Sequence, residues 1–144
     1  MIWAKVLADC SNGGHQHLYE GGQIEGDQFT PARWQLLPLN RYMWASVQTV
    51  RGCPKHCSFC SVWRTDGQRP REHGASAIIR EIVELRRKGF RFIVLADDNF
   101  YPVTLQDLKQ AESLENPRRF EELKAMRQER FELMERLSEL PDDM

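Results

Sequence analysis

Two short apolar runs frame a stretch of helical periodicity, and that order admits few folds. The first run, "MWASVQTV" at residues 43–50, is rich in β-branched and aromatic types and ends at Gly52, the composition of a strand. The second, "FRFIVLA" at residues 90–96, reads as a strand buried on both faces, as in a parallel sheet. Between them Ile78, Ile79, Ile82, Val83 and Leu85 recur on one helical face. Ser76 is placed to cap that helix. Gly89 is placed to stop it, with Arg86, Arg87 and Lys88 beside its negative end. Strand, loop, helix, strand, loop, helix implies an α/β fold with a right-handed βαβ crossover and a parallel pair. In such folds the chemistry sits beyond the carboxyl ends of the strands.

The flanks are less constrained. Upstream, "IWAKVLAD" fits the end of a helix closed by Gly13 or Gly14. Residues 11–33 are polar and glycine-rich, an extended loop or linker with one short strand expected around His17 to Tyr19. Downstream, Thr104 and Asp107 resemble a capping box for a short helix reaching about Leu114. Asn116 and Pro117 restart a helix with Pro at its tolerated first position. Phe120, Leu123, Met134 and Leu137 give that helix an apolar stripe interrupted by charge, and the Arg and Glu residues of 118–139 read as its solvated face.

The chain has 144 residues, enough for one small domain, and a formal net charge of -1. Neither nucleic acid nor a membrane surface is implied by that charge. No apolar run approaches the ~20 residues that cross a bilayer, and the N-terminus lacks the basic start and apolar block of a signal peptide. A cytoplasmic location follows as the expectation, and there thiols stay reduced. Clustered cysteines in that setting read as metal ligands or redox groups rather than disulfides.

Three of the four cysteines are clustered, in "RGCPKHCSFCSVW" directly after the first strand: Cys53, Cys57 and Cys60. A structural zinc site needs four closed ligands. His56 adjoins Cys57 and would strain to join the same tetrahedron, while His73 and Cys10 have no second CxxC beside them. "CSFC" alone is also a thioredoxin-type pair, but that chemistry does not require a third cysteine upstream. A third reading, beside these two, is a [4Fe–4S] cluster held by three thiolates. Such clusters usually have four cysteine ligands, so three leave one iron open to a substrate or cofactor.

A second cluster, "DDNF", follows the second strand and falls on the same edge. Its carboxylates suit an ammonium group; a capped turn at a strand end is the competing reading. Phe100 and Tyr101 read as packing. His15 and His17 sit in a polar loop and read as solvated, Cys10 as a bystander. Arg51 reads as half of a surface ion pair, with an anion contact near the cysteines as the alternative.

The CxxxCxxC spacing resembles the signature of the radical S-adenosylmethionine (radical SAM) superfamily. In that family the open iron chelates the amino and carboxylate groups of S-adenosylmethionine, and one electron breaks the sulfonium bond to give a 5′-deoxyadenosyl radical. The resemblance implies Cys53, Cys57 and Cys60 as cluster ligands, Phe59 as the aromatic near the adenine, and Asp97, Asp98 and Asn99 as a group near the amino end of the cofactor. It implies no catalytic side chain beyond these. "RGCPKHCSFCSVW", "IIREIVELRRKGFRFIVLADDNF" and "LYEGG" together resemble the branch with a cobalamin-binding domain ahead of the barrel. On that resemblance residues 1–40 correspond to the end of such a domain and its linker, and residues 41–144 to the N-terminal part of the radical SAM core. The expected fold is a partial (βα) barrel with about two βα units. The expected parent is cobalamin-linked, performs methyl transfer or a carbon-skeleton change, and takes electrons from a flavodoxin- or ferredoxin-type donor. A full eight-unit barrel takes ~250 residues. The chain therefore reads as a fragment, inactive alone and served by a chain carrying the rest of the barrel. Its non-enzyme alternative is an iron–sulfur or zinc-binding module.

Overall fold

In a computed structural model the described residues are 2–141. Helix α1 (Trp3–Ser11) ends as expected, with Gly13 at φ 72° donating its amide to the Cys10 carbonyl. No strand forms around His17 to Tyr19. Instead Tyr19 turns back on α1, its hydroxyl donating to the Asp9 carboxylate at 2.9 Å and accepting from the Gln16 amide at 2.9 Å. Single-turn 3-10 segments carry the chain over residues 26–41 to the first strand.

The sheet is the parallel pair expected. Strand β1 (Trp44–Val47) pairs with β4 (Phe92–Leu95) in the register Trp44 to Phe92 and Val47 to Leu95. The first strand is shorter than residues 43–50, for an identifiable reason. The Asp97 carboxylate accepts the amides of Thr49 at 2.6 Å and Val50 at 3.0 Å. A side chain thus takes the place of the next ladder carbonyl, and the strand leaves the sheet. It re-forms as β2 (Val50–Arg51), antiparallel to β3 (Arg71–Glu72). Between β2 and β3 lies the cysteine loop with its single helical turn, α2 (Val62–Thr65).

Helix α3 (Ala75–Arg87) covers one face of the sheet. Ala45, Val47, Ile78, Ile82, Leu85, Phe90 and Leu133 form the core there. The other face is open: Trp44 and Phe92 stand opposite one another, and Phe92 is 67% exposed. The expectation of a strand buried on both faces is therefore corrected. A run of apolar residues reports hydrophobicity, not the number of layers that arrive to cover it.

Helix α3 begins one residue before Ser76. Its N-cap is Gly74, and the free Ala75 amide is satisfied from outside, by Glu129 at 2.7 Å. Ser76 instead accepts a hydrogen bond from Arg136 at 2.7 Å. Both partners lie on α5 (Pro117–Ser138), which packs against α3 and α4 (Leu105–Ser113). The Thr104–Asp107 capping box and the Asn116 cap form as read from the sequence. The stripe of α5 forms in part: Phe120, Leu123 and Leu137 pack against the core. Leu123, Arg130 and Leu133 are its buried residues, and Met134 is exposed. A parallel strand pair flanked by helices matches the expected partial βα barrel.

Candidate cluster and cofactor site

The cysteine loop is an excursion whose stem is the β2–β3 pair. Its neck is closed by the Cys53 amide donating to the Gly67 carbonyl at 3.1 Å. Gly52 makes that closure possible. Its φ is 89°, and a Cβ there would stand 3.0 Å from the carbonyl oxygens of both Gly67 and Arg69. Only glycine takes this conformation and this approach without strain. Arg71 secures the stem from below: it is buried and donates to the carbonyls of Ile24 at 2.7 Å and Asp66 at 2.9 Å. Gly26 lies so close that a side chain there would overlap the Glu72 carbonyl.

Within the loop Cys53 and Cys60 are half-buried and Cys57 is exposed, and all are free thiols. The Cys60 amide donates to the Cys57 carbonyl at 3.1 Å, and the Trp63 indole donates to the same carbonyl at 3.3 Å. His56 stacks on Trp63 with ring centroids 3.8 Å apart. Phe59, between the last two cysteines, is 91% exposed. Among the described residues no three His, Cys, Asp or Glu side chains are already gathered for a metal ion. The three thiols nevertheless share one short loop, and thiolate is the ligand that iron–sulfur clusters take.

Asp97, Asp98 and Asn99, the second to fourth residues after β4, reach this loop and the strand leading into it one by one. Asp97 holds Thr49 and Val50. Asp98 accepts the Gly52 amide at 2.9 Å. Asn99 directs its amide nitrogen to the Cys53 sulfur at 3.6 Å. The sequence placed both clusters on one edge, and the structure brings them into contact. It also shows the two carboxylates engaged with the loop backbone. Phe100 and Tyr101 pack edge to face at 4.9 Å, as expected.

Further groups that the sequence reading passed over support the loop. Lys55 bonds both carboxylate oxygens of Asp107 at 3.1 Å, tying the loop to the start of α4. Burial alone would raise the Asp107 carboxyl, but hydrogen bonds from Thr104 and the Lys55 ammonium outweigh it and hold that carboxyl below the usual range. Arg130, expected on a solvated face, is 1% exposed. It donates to the Thr49 hydroxyl at 2.8 Å and meets Glu72 at 3.1 Å. The Glu72 contact is between charges, without a directed hydrogen bond. Desolvation pushes Glu72 up to about 7 against the opposing pull of Arg130. Its neighbour His73 is held below its ordinary value, chiefly by burial and then by Arg80. The signal for Arg130 was in the sequence: it falls on the helical face of Leu123 and Leu133, a charge inside an apolar stripe.

Among the described residues Arg51 does not form the ion pair expected of it. It donates twice to Gln48, at 2.9 and 2.6 Å, and its guanidinium lies 5.4 Å from the Phe29 ring centre. A cavity of about 490 Å³ opens beside it, lined among others by Phe29, Gln48, His73 and Glu81 and by none of the cysteines. His15, His17 and Cys10 are exposed.

The family model described as the radical SAM superfamily matches residues 47–143, a span that starts at the end of β1 and takes in the cysteine loop and all of α5. The chain belongs to the radical SAM superfamily. It is 39% identical to an uncharacterized methyltransferase of Synechocystis over 69 residues, 47% of this chain and 13% of that protein. It is 32% identical to a hopanoid C-2 methylase of Rhodopseudomonas palustris over 99 residues, 67% of this chain and 19% of that protein. Over 57 residues, 40% of this chain, it is 40% identical to 12% of a tRNA-2-methylthio-N(6)-dimethylallyladenosine synthase of Chlorobium chlorochromatii. The chain thus spans between about an eighth and a fifth of these radical SAM relatives. No solved structure matches. Membership of the superfamily implies a [4Fe–4S] cluster and S-adenosylmethionine as its cofactors. Among the described residues no helix is long and apolar enough to cross a membrane.

Proposed function

We propose that Cys53, Cys57 and Cys60 hold a [4Fe–4S] cluster, and that the chain is the cluster-binding part of a radical SAM enzyme for methyl or methylthio transfer. The observation that carries this reading is the convergence on Cys53: a glycine-closed loop supplies three free thiols, and the segment after β4 holds its backbone and touches its first sulfur. When bound, the cluster and S-adenosylmethionine supply one-electron cleavage of a sulfonium bond. The work of this chain's own residues is to bind and orient. Cys53 is fixed by Gly52, Asp98 and Asn99, while Cys57 stands exposed and free to close on the metal, as ligands do when binding and local folding are coupled. Phe59 offers an uncovered ring to the adenine. Asn99, and not the two engaged carboxylates, is the member of its group with an amide aimed at the cluster edge.

The group-transfer class is supported by the printed activities of the relatives, which include methylation and methylthiolation. The finer, cobalamin-linked form of the reading is supported by the resemblance of "LYEGG" and the cysteine segment to that branch. The electron donor belongs to the same reading, as does a chain supplying further barrel strands, the latter supported by the open sheet face at Trp44 and Phe92.

Anaerobic reconstitution with iron and sulfide tests the ligand set. The expected product is brown and carries about four irons per chain, the content of one cubane cluster, and changing any of Cys53, Cys57 or Cys60 to alanine lowers that content. A chain that takes one zinc and no sulfide, or keeps its full cluster in all three variants, overturns the reading.

A further inference from the structure

Thr49 and Arg130 form a buried polar contact beneath the loop. Thr49 is fully buried and Arg130 nearly so, and 81 residues separate them. The direction of their hydrogen bonds is determined by chemistry. A guanidinium only donates and a carboxylate only accepts. The Thr49 hydroxyl must therefore accept from Arg130, at 2.8 Å, and give its own hydrogen to Asp97, at 2.6 Å. Glu72 holds the other side of the guanidinium, and the His73 amide donates to the Thr49 carbonyl at 2.8 Å. The Thr49 hydroxyl, which accepts on one side and donates on the other, is thereby held in one orientation between Arg130 and Asp97.

The network lies directly upstream of the first thiol. The amides of Thr49 and Val50 are held by Asp97, that of Gly52 by Asp98 and that of Cys53 by Gly67. The backbone leading into Cys53 is pinned at four positions, whereas Cys57 lies on the exposed part of the loop.

We infer that Thr49 and Arg130 are positioning residues for Cys53: through Asp97 they lock the first ligand thiol in place before metal arrives, leaving Cys57 to close on it. This rests on the reading of Cys53 as a cluster ligand. It assigns α5, remote in sequence from the loop, a direct part in forming the site.

The test is the rate at which iodoacetamide alkylates each cysteine of the metal-free chain, read by peptide mass spectrometry. Thr49→Val removes the hydroxyl at nearly constant shape; Thr49→Ser keeps it. With Thr49→Val, which loses both hydrogen bonds of the hydroxyl, the Cys53 rate is expected to rise about fivefold or more, at ~1 kcal/mol for each bond, while Cys57, Cys60 and Cys10 keep the parent rates. Thr49→Ser is expected to restore the parent rate at Cys53. Should Thr49→Val fail to fold by circular dichroism, Arg130→Lys, which keeps the buried charge without the planar fork, is expected to give the same selective rise. An unchanged Cys53 rate, or an equal rise at all four cysteines, overturns the inference. Failure of the cluster reading is distinct: the parent chain would take up no iron while the alkylation pattern still formed.

Discussion

The side-chain amide of Asn99 lies 3.6 Å from the sulfur of Cys53, joining the segment after the second parallel strand to the loop after the first. Hydrogen bonds to cluster sulfurs are among the factors that set the reduction potential. Asn99→Ala is expected to shift the potential of the reconstituted cluster negative by on the order of 20–60 mV, the one-electron equivalent of a hydrogen bond of ~0.5–1.5 kcal/mol. Asn99→Asp, which loses the donor and adds a negative charge, is expected to shift it further. Potentiometric titration followed by electron paramagnetic resonance measures both.

Phe59 is 91% exposed and among the described residues has no ring partner. Truncating such a side chain changes stability by less than about 0.5 kcal/mol. A ring that stacks on a base contributes ~1–3 kcal/mol. Phe59→Ala is therefore expected to melt with the parent chain and to bind S-adenosylmethionine about tenfold or more weakly in the reconstituted state, and Phe59→Trp to retain binding. Equilibrium dialysis with labelled cofactor decides it; equal affinity in the alanine variant removes Phe59 from the site.

Gly52 combines a φ of 89° with close carbonyl oxygens from Gly67 and Arg69. A side chain there meets both the conformational penalty and the crowding. Gly52→Ala is expected to cost about 1–3 kcal/mol and to lower iron retention, because the position of Cys53 depends on this turn. Urea denaturation and iron analysis on the same preparation check the two effects together.

Glu72 supplies a pH dependence whose sign is opposite to that of an ordinary salt-bridged carboxylate. Its folded value, about 7, is above the 4.5 of an unperturbed group. The folded state thus holds a proton that the unfolded state has released. The associated stability is fully present below pH ~4.5 and is lost as pH rises through about 7, a change on the order of 3 kcal/mol. Glu72→Gln is expected to flatten the stability profile across that window. Chemical denaturation at a series of pH values measures the slope; a parent profile that rises with pH there, and is unaltered by the variant, contradicts the assignment.

Much of the site was legible because its information is local. Three cysteines within eight residues, a glycine directly before them and an acidic pair directly after an apolar strand are patterns of chemistry and spacing, and they need no folding to be read. The caps at Thr104 and Asn116 were legible for the same reason, since each closes within three residues. The helix start at Ala75 was not, because its partner is Glu129, 54 residues away.

The sequence by itself determined the parallel strand pair, the three thiols at its carboxyl edge and the acidic segment facing them, because periodicity and ligand spacing are properties of the chain. Only the tertiary structure decided that Asp97 and Asp98 hold backbone, that Asn99 touches Cys53, and that Arg130 lies buried beneath Thr49. The physical reason is burial. A charged residue on a helix is solvated unless something arrives to cover it, and what covers Arg130 comes from Thr49, Glu72 and His73, more than fifty residues away in the chain.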